Sequence, residues 1–175
     1  MHTSHRLELY PEQTVTQLLF KCVKNAKELR KSVMEGKIDA AFINPKMLVD
    51  PFQVLVAANK AVHLQTIGKM KTRSLYSEVI FNLSPTNNIS EAFKRFGISD
   101  TDDSVLVVLI TTEGESQVLA DVVEKVDGQQ IPVAELSTLN DVTQIKKLYK
   151  VTPQEEKLGS LLDSVVCRMA IKDVL

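Results

Sequence analysis

At 175 residues the chain has room for one compact domain, because two would each be too small to bury a sizeable core. Its 44% hydrophobic and 25% charged residues give it the composition of a folded protein and exclude a disordered or fibrous one. A net charge of −1 excludes a strongly basic nucleic-acid module, and no apolar run approaches the roughly 20 residues that a membrane span requires.

Residues 6–10 alternate in polarity and stop at Pro11, as an edge strand does; residues 15–23 form a second, more apolar strand, close enough for a hairpin. Residues 25–35 read as a helix with Ala26, Leu29, Val33 and Met34 on one face and Gly36 as the stop. Asp50-Pro51-Phe52-Gln53 is a helix start: the Asp caps, the Pro takes the first helical position and Gln sits three residues after the cap. The helix it opens runs to about residue 65, is apolar nearly all round apart from a strip of Asn59, Lys60 and His63, and ends at Gly68.

Residues 75–83 read as a buried strand centred on Val79-Ile80-Phe81. Asn88-Ile89-Ser90-Glu91 is a capping box, and its helix runs to Phe96 with Gly97 as a left-handed stop. Residues 104–110 hold the most hydrophobic strand and belong at the centre of the sheet. A strand, a helix and a strand in succession predict a crossover and hence a mixed sheet. Helices follow at 117–126, at 141–149 (apolar face Val142, Ile145, Leu148 and Tyr149) and, from the cap Thr152-Pro153-Gln154-Glu155, at 152–171. The expectation is an α+β (mixed α/β) fold in a single domain over residues 1–175. A roughly four-stranded mixed sheet packs with about six helices and the chain closes on a long C-terminal helix.

The charges are segregated. Residues 51–77 contain no Asp or Glu but carry Lys60, Lys69, Lys71 and Arg73. Residues 98–141 hold ten acids and only Lys125 as a base, leaving the remainder net +8. Chance clustering is one reading of the basic tract; the other is a surface that holds an anion. The last helix carries two stripes. Leu158, Leu161, Leu162, Val165, Val166 and Met169 face the core, and Ser160, Ser164, Cys167, Ile171 and Val174 recur at heptad spacing on a narrower face. That second stripe is either the thin side of a two-sided core helix or a docking strip for a partner.

No enzyme signature is present. The chain lacks a phosphate loop, GxGxxG, GxSxG and CxxC. His63 stands alone on a helix, and His2 and His5 sit near the start, so no metal-ligand set is offered. Cys22 and Cys167 read as buried packing thiols in a reducing compartment, and Asp50, Glu78 and Glu91 as caps or strand-face charges. The start is too polar for a secretory signal. The terminal Lys172-Asp173-Val174-Leu175 has Val where the ER-retention tetrapeptide needs Glu, so cytoplasm and nucleus are the expected location.

Several segments together carry a resemblance. They are Ile43-Asn44-Pro45, the run from Asp50 to Val62, Lys69-Met70-Lys71-Thr72-Arg73, the run from Glu78 to Pro85, Asn88-Ile89 and Phe96-Gly97-Ile98. In these the chain resembles the TPRKB family, the small kinase-binding subunit of the KEOPS (EKC) complex. The likeness resumes at residues 146–149, at Leu161-Leu162-Asp163 and at Cys167-Arg168-Met169, and is thin over residues 100–140. The resemblance implies a non-catalytic subunit without cofactor, metal or small-molecule substrate. Its partners would be an atypical small kinase, the other subunits through that kinase, and tRNA. It further implies support of threonylcarbamoylation of the adenosine beside the anticodon, by helping to hold the tRNA 3′ end. A single-stranded end needs cations and an apolar or stacking platform. Lys60, Lys69, Lys71 and Arg73 are the candidate cations, and Asn59, Asn82 and Asn44 candidate hydrogen-bonding groups, with turn or cap chemistry the competing role for Asn44 and Asn82. Ser160, Ser164, Cys167, Ile171 and Val174 are the candidate kinase-docking strip.

Overall fold

The computed structural model describes residues 1–113 and 115–174. The most apolar segment becomes the middle of the sheet. β4 (Val105–Thr111) lies between β2 (Thr14–Lys21) and the short edge strand β3 (Ala41–Ile43). The far edge of β2 is shared: β1 (Thr3–Arg6) pairs along Thr14 to Gln17 and β5 (Gln129–Ile131) along Leu19 to Lys21. Every pairing is antiparallel.

β4 alternates strictly between two cores. Leu106, Val108 and Ile110 join Val15, Leu19, Ala41 and Ile43 on one face; Val105, Val107 and Leu109 join Leu18, Phe20 and Phe42 on the other. Both faces are covered, so β4 needs no polar side chain until its last residue. A continuous apolar strand usually marks a parallel sheet; here helices on both sides of an antiparallel one produce it. The second face is closed by α1 (Ala26–Met34) and α5 (Ser116–Lys125) through Ala26, Leu29 and Val122. The first face is closed by α2 (Pro51–Thr66), α3 (Leu75–Leu83), α6 (Val142–Tyr149) and α8 (Leu161–Ile171). α4 (Ile89–Phe96) and the six-residue α7 (Pro153–Leu158) complete the helices among the described residues, with three short 3-10 turns.

The caps predicted at Asp50, Asn88 and Thr152 form: they accept from the amides of Phe52, Glu91 and Glu155, each satisfying an orphan amide of a first turn. Glu91 does not close the predicted box on Asn88, because its carboxylate accepts from Arg95. Asp141, expected inside its helix, is a further cap and accepts from the Gln144 amide. Gly36 and Gly68 adopt the left-handed conformation at the ends of α1 and α2.

The α+β class stands, but the sheet is five-stranded and antiparallel where a four-stranded mixed one was expected. The cause is residues 75–83, which form a helix. A nine-residue apolar run fits a buried strand or a buried helix equally, and α3 packs against α2, α4 and β3, so most of its surface is covered. The deciding local feature is Ser74, whose hydroxyl caps the Ser77 amide at 3.1 Å. With no strand there, no parallel crossover arises.

Other departures are smaller. The first strand lies at Thr3–Arg6, and residues 7–13 form the turn. Gly97 has φ −72 and is not a left-handed stop; it bridges Ile43, and a Cβ there would sit 2.6 Å from the Phe93 carbonyl oxygen. Gln53 does not close a capping box on Asp50, because its side-chain oxygen accepts from the Val49 amide. The long C-terminal helix is broken: Gly159 is fully extended, and Ser160 and Asp163 exchange a reciprocal capping box that starts α8 afresh. The break turns Leu158 outward, 89% exposed, where the stripe placed it in the core, and Val142 at the start of α6 is also exposed.

Candidate functional site

The basic tract is a bent segment between α2 and α3, and a buried carboxylate shapes it. Glu78, inaccessible to solvent in α3, accepts from the Lys71 amide (3.2 Å), the Thr72 amide (2.9 Å) and the Thr72 hydroxyl (2.6 Å). Those three bonds satisfy the buried charge and turn Thr72 inward. Lys69, Lys71 and Arg73 are left exposed, while Met70 and Thr72 are half-buried. Glu78 thus sets the presentation of the tract.

The four predicted cations are not equivalent. Lys60, from α2, and Lys71 converge on one carboxylate, Asp173 in the 3-10 turn after α8; the Lys71 ammonium lies 2.9 Å from it. Burial tends to raise the Asp173 pKa, but the bonds from Lys60 and Lys71 outweigh it and hold the group below its ordinary value. Lys69 and Arg73 have no acidic partner among the described residues. Asn59 is half-exposed beside Lys60. Asn82 is buried in the α2–α3 interface, where its amide donates to the Ala57 carbonyl at 3.2 Å, so it leaves the candidate surface. Asn44 caps a 3-10 turn through the Lys46 amide.

Next to Asp173, Lys172 is buried. Its ammonium donates to the Phe81 carbonyl, a last-turn acceptor of α3, and stands 3.7 Å from the Phe81 ring centroid. Burial, with Lys60 nearby, pulls its pKa down from 10.5 to about 8.

A groove of about 620 Å³ opens on the other side of α3. Met34, Phe42, Tyr76, Ile80 and Phe93 supply apolar wall, and two cations line it: Lys94, and Arg30, which pairs with Asp100 at 3.1 Å. It begins at Ser74, the residue after Arg73, so the tract leads to it. Burial raises the Tyr76 phenol to about 12; its oxygen donates to the Ile110 carbonyl and accepts from the Ile110 amide, tying α3 to β4. The residue reading missed this groove, because its walls come from α1, β3, α3 and α4. Phe93 was the signal available, an apolar side chain of α4 that stays exposed; Met34, expected on the apolar face of α1 with Ala26, Leu29 and Val33, is instead 77% exposed at the groove.

The second stripe of the last helix is an outward face. Cys167, Ile171 (43% exposed) and Val174 (82%) are exposed and Ser164 is half-exposed. Ser160 belongs to the cap at the start of α8. Both cysteines are exposed where buried thiols were expected: Cys22 turns off the end of β2 with φ 53, and Cys167 lies on this outward face. His63 is exposed, with its Nδ1 2.7 Å from the Tyr10 hydroxyl. Among the described residues no cluster of three or more His, Cys, Asp or Glu could hold a metal ion, and no helix is long and apolar enough to cross a membrane.

The described residues thus form an α+β domain whose candidate functional features are surfaces, an outward helix strip and a basic loop. Comparison with known proteins makes that specific. Residues 20–173 match the family described as kinase binding protein CGI-121, and the chain belongs to that family. It is 66% identical over 174 residues to the EKC/KEOPS complex subunit TPRKB of Danio rerio, covering 99% of each chain. It is 34% identical over 140 residues to the subunit cgi121 of Aspergillus fumigatus (76% of this chain, 74% of the relative). It is 31% identical over 172 residues to that of Schizosaccharomyces pombe (93% and 97%).

Proposed function

We propose that this chain is a non-catalytic subunit of an EKC/KEOPS complex. It binds the atypical small kinase through the outward strip of α8 and its tip, and helps hold the 3′ end of a tRNA during threonylcarbamoylation, in cytoplasm and nucleus. The observation that carries this reading is the family match across residues 20–173. The geometry supports the RNA part: Lys69 and Arg73 project from a rigidly held segment that runs into an apolar groove with Arg30 and Lys94 in its lining. Phosphates would meet the cations and an unstacked base the walls formed by Tyr76, Ile80 and Phe93.

A second reading, a kinase-binding regulator with no RNA contact, is favoured by one observation: Asp173 neutralises two of the four cations. Reconstitution with the kinase and the remaining subunits separates the two. Replacing Lys69 and Arg73 by Glu should leave kinase binding intact and weaken tRNA binding and modification at least tenfold, with a shallower salt dependence. Unchanged tRNA binding would favour the regulator. Cys167→Arg should abolish capture of the kinase while the domain stays folded, and undiminished binding would move the interface off α8.

A further inference from the structure

The tip of the chain joins the two surfaces just described. Asp173 sits between Ile171 and Val174, the two most exposed apolar residues of the strip, and its carboxylate holds Lys60 and Lys71. With the tip in place, the Lys60 side chain is only 25% exposed and that of Lys71 48%. The residue before Asp173 is anchored differently. Lys172 is buried, bonded to the Phe81 carbonyl and seated on the Phe81 ring, and the Asn87 amide donates to its backbone carbonyl at 3.0 Å. The tip therefore has a fixed post at Lys172 and a more exposed contact at Asp173, whose pair with Lys71 is open to solvent and weak while the Lys60 ammonium beneath it is buried.

We propose that Asp173 is an internal phosphate mimic that masks Lys60 and Lys71, and that a protein docking on Ile171 and Val174 lifts it and frees both lysines for a polyanion. This rests on the reading of the strip as the kinase-docking face and of the tract as an RNA contact. A partner that buries Ile171 and Val174 must contact the turn holding Asp173, and moving that one carboxylate exposes two cations 11 residues apart in the chain. Kinase binding and RNA binding are then positively coupled through residue 173, each strengthening the other.

The test measures binding of a short single-stranded RNA ending in CCA across a salt series, using the full chain with and without the purified kinase. Without kinase, Asp173→Asn should bind more tightly than the native chain. Its plot of log affinity against log salt should be steeper by about 1.4, since each freed lysine adds about 0.7 on a single strand. Asp173→Glu, which keeps the charge, should behave as the native chain. With kinase bound, the native chain and Asp173→Asn should become indistinguishable; taking this difference removes any contact the kinase itself makes with RNA. Equal slopes without kinase, with RNA binding present, would overturn the mask and leave the RNA reading standing. A difference that persists in the complex would overturn the release. No RNA binding by either protein, alone or in the complex, would defeat the RNA reading and the mask with it. Retention of the native thermal transition by Asp173→Asn distinguishes unmasking from unfolding.

Discussion

The side-chain amide of Gln53 donates to the phenol oxygen of Tyr149 at 3.0 Å, 96 residues away, where neither side chain meets solvent. The phenol donates in turn to the Leu83 carbonyl at the end of α3, and the Gln53 oxygen accepts from the Val49 amide. One relay thus satisfies the entry of α2, the exit of α3 and the end of α6. Burial drives the Tyr149 pKa well above the ordinary tyrosine value, so the phenol stays protonated and donates at any physiological pH.

Tyr149→Phe should therefore cost about 1–3 kcal/mol, since it leaves a buried carbonyl and a buried amide without partners while adding no cavity. Urea unfolding measures it. A loss under 0.5 kcal/mol would mean that water or a rearranged Gln53 takes over the bonds.

Lys172 makes stability depend on pH in a defined direction. Its pKa is about 8 in the folded chain and near 10.5 in the unfolded one. Between those values the unfolded chain holds a proton that the folded chain has released, so stability attributable to Lys172 rises with pH across that window and is flat below it. Measured against Lys172→Met, which cancels the other titrations, the native chain should gain stability from pH 8 to 10.5. A difference that is constant or falls there would show that the ammonium is not disfavoured by its site.

Lys150 ends α6 in the left-handed conformation, φ 54 and ψ 44, while the Val151 amide reaches the Lys146 carbonyl and its own amide that of Lys147. This is a Schellman end with a lysine where glycine is strain-free. Lys150→Gly should raise stability by about 0.5–1 kcal/mol, relief of left-handed strain outweighing the extra freedom of the unfolded chain. The Arg168 contact is to the Lys150 carbonyl and survives the change. Thermal unfolding of the pair checks it, and a lowered midpoint would refute the strain.

Much of the candidate site was legible and part of it was not. An acid-free stretch with cations at alternate positions locates an exposed basic segment, and Lys69, Lys71 and Arg73 are exposed. That Lys60 and Lys71 share Asp173 was not readable, because Lys71 and Asp173 lie 102 residues apart and meet only when α8 packs on α2. Asn82 stood near the end of a predicted strand as a candidate RNA-contacting amide, with turn or cap chemistry its competing role; in a helix its side chain donates to the Ala57 carbonyl of α2 and it is buried. The groove walls come from four elements separated in the chain, so no local pattern announces them.

Taken alone, the amino-acid order determined what is settled within three or four residues. The caps at Asp50, Asn88 and Thr152, the glycine stops at 36 and 68, and the central place of β4 follow from bonds or burial that neighbouring residues supply. The tertiary structure decided whether residues 75–83 became strand or helix, which way the chain ran after Gly159, and which lysines stayed free. An apolar run takes the shape that its surroundings can bury, and an ion pair exists only where packing brings both charges together. Neither is a property of the segment itself.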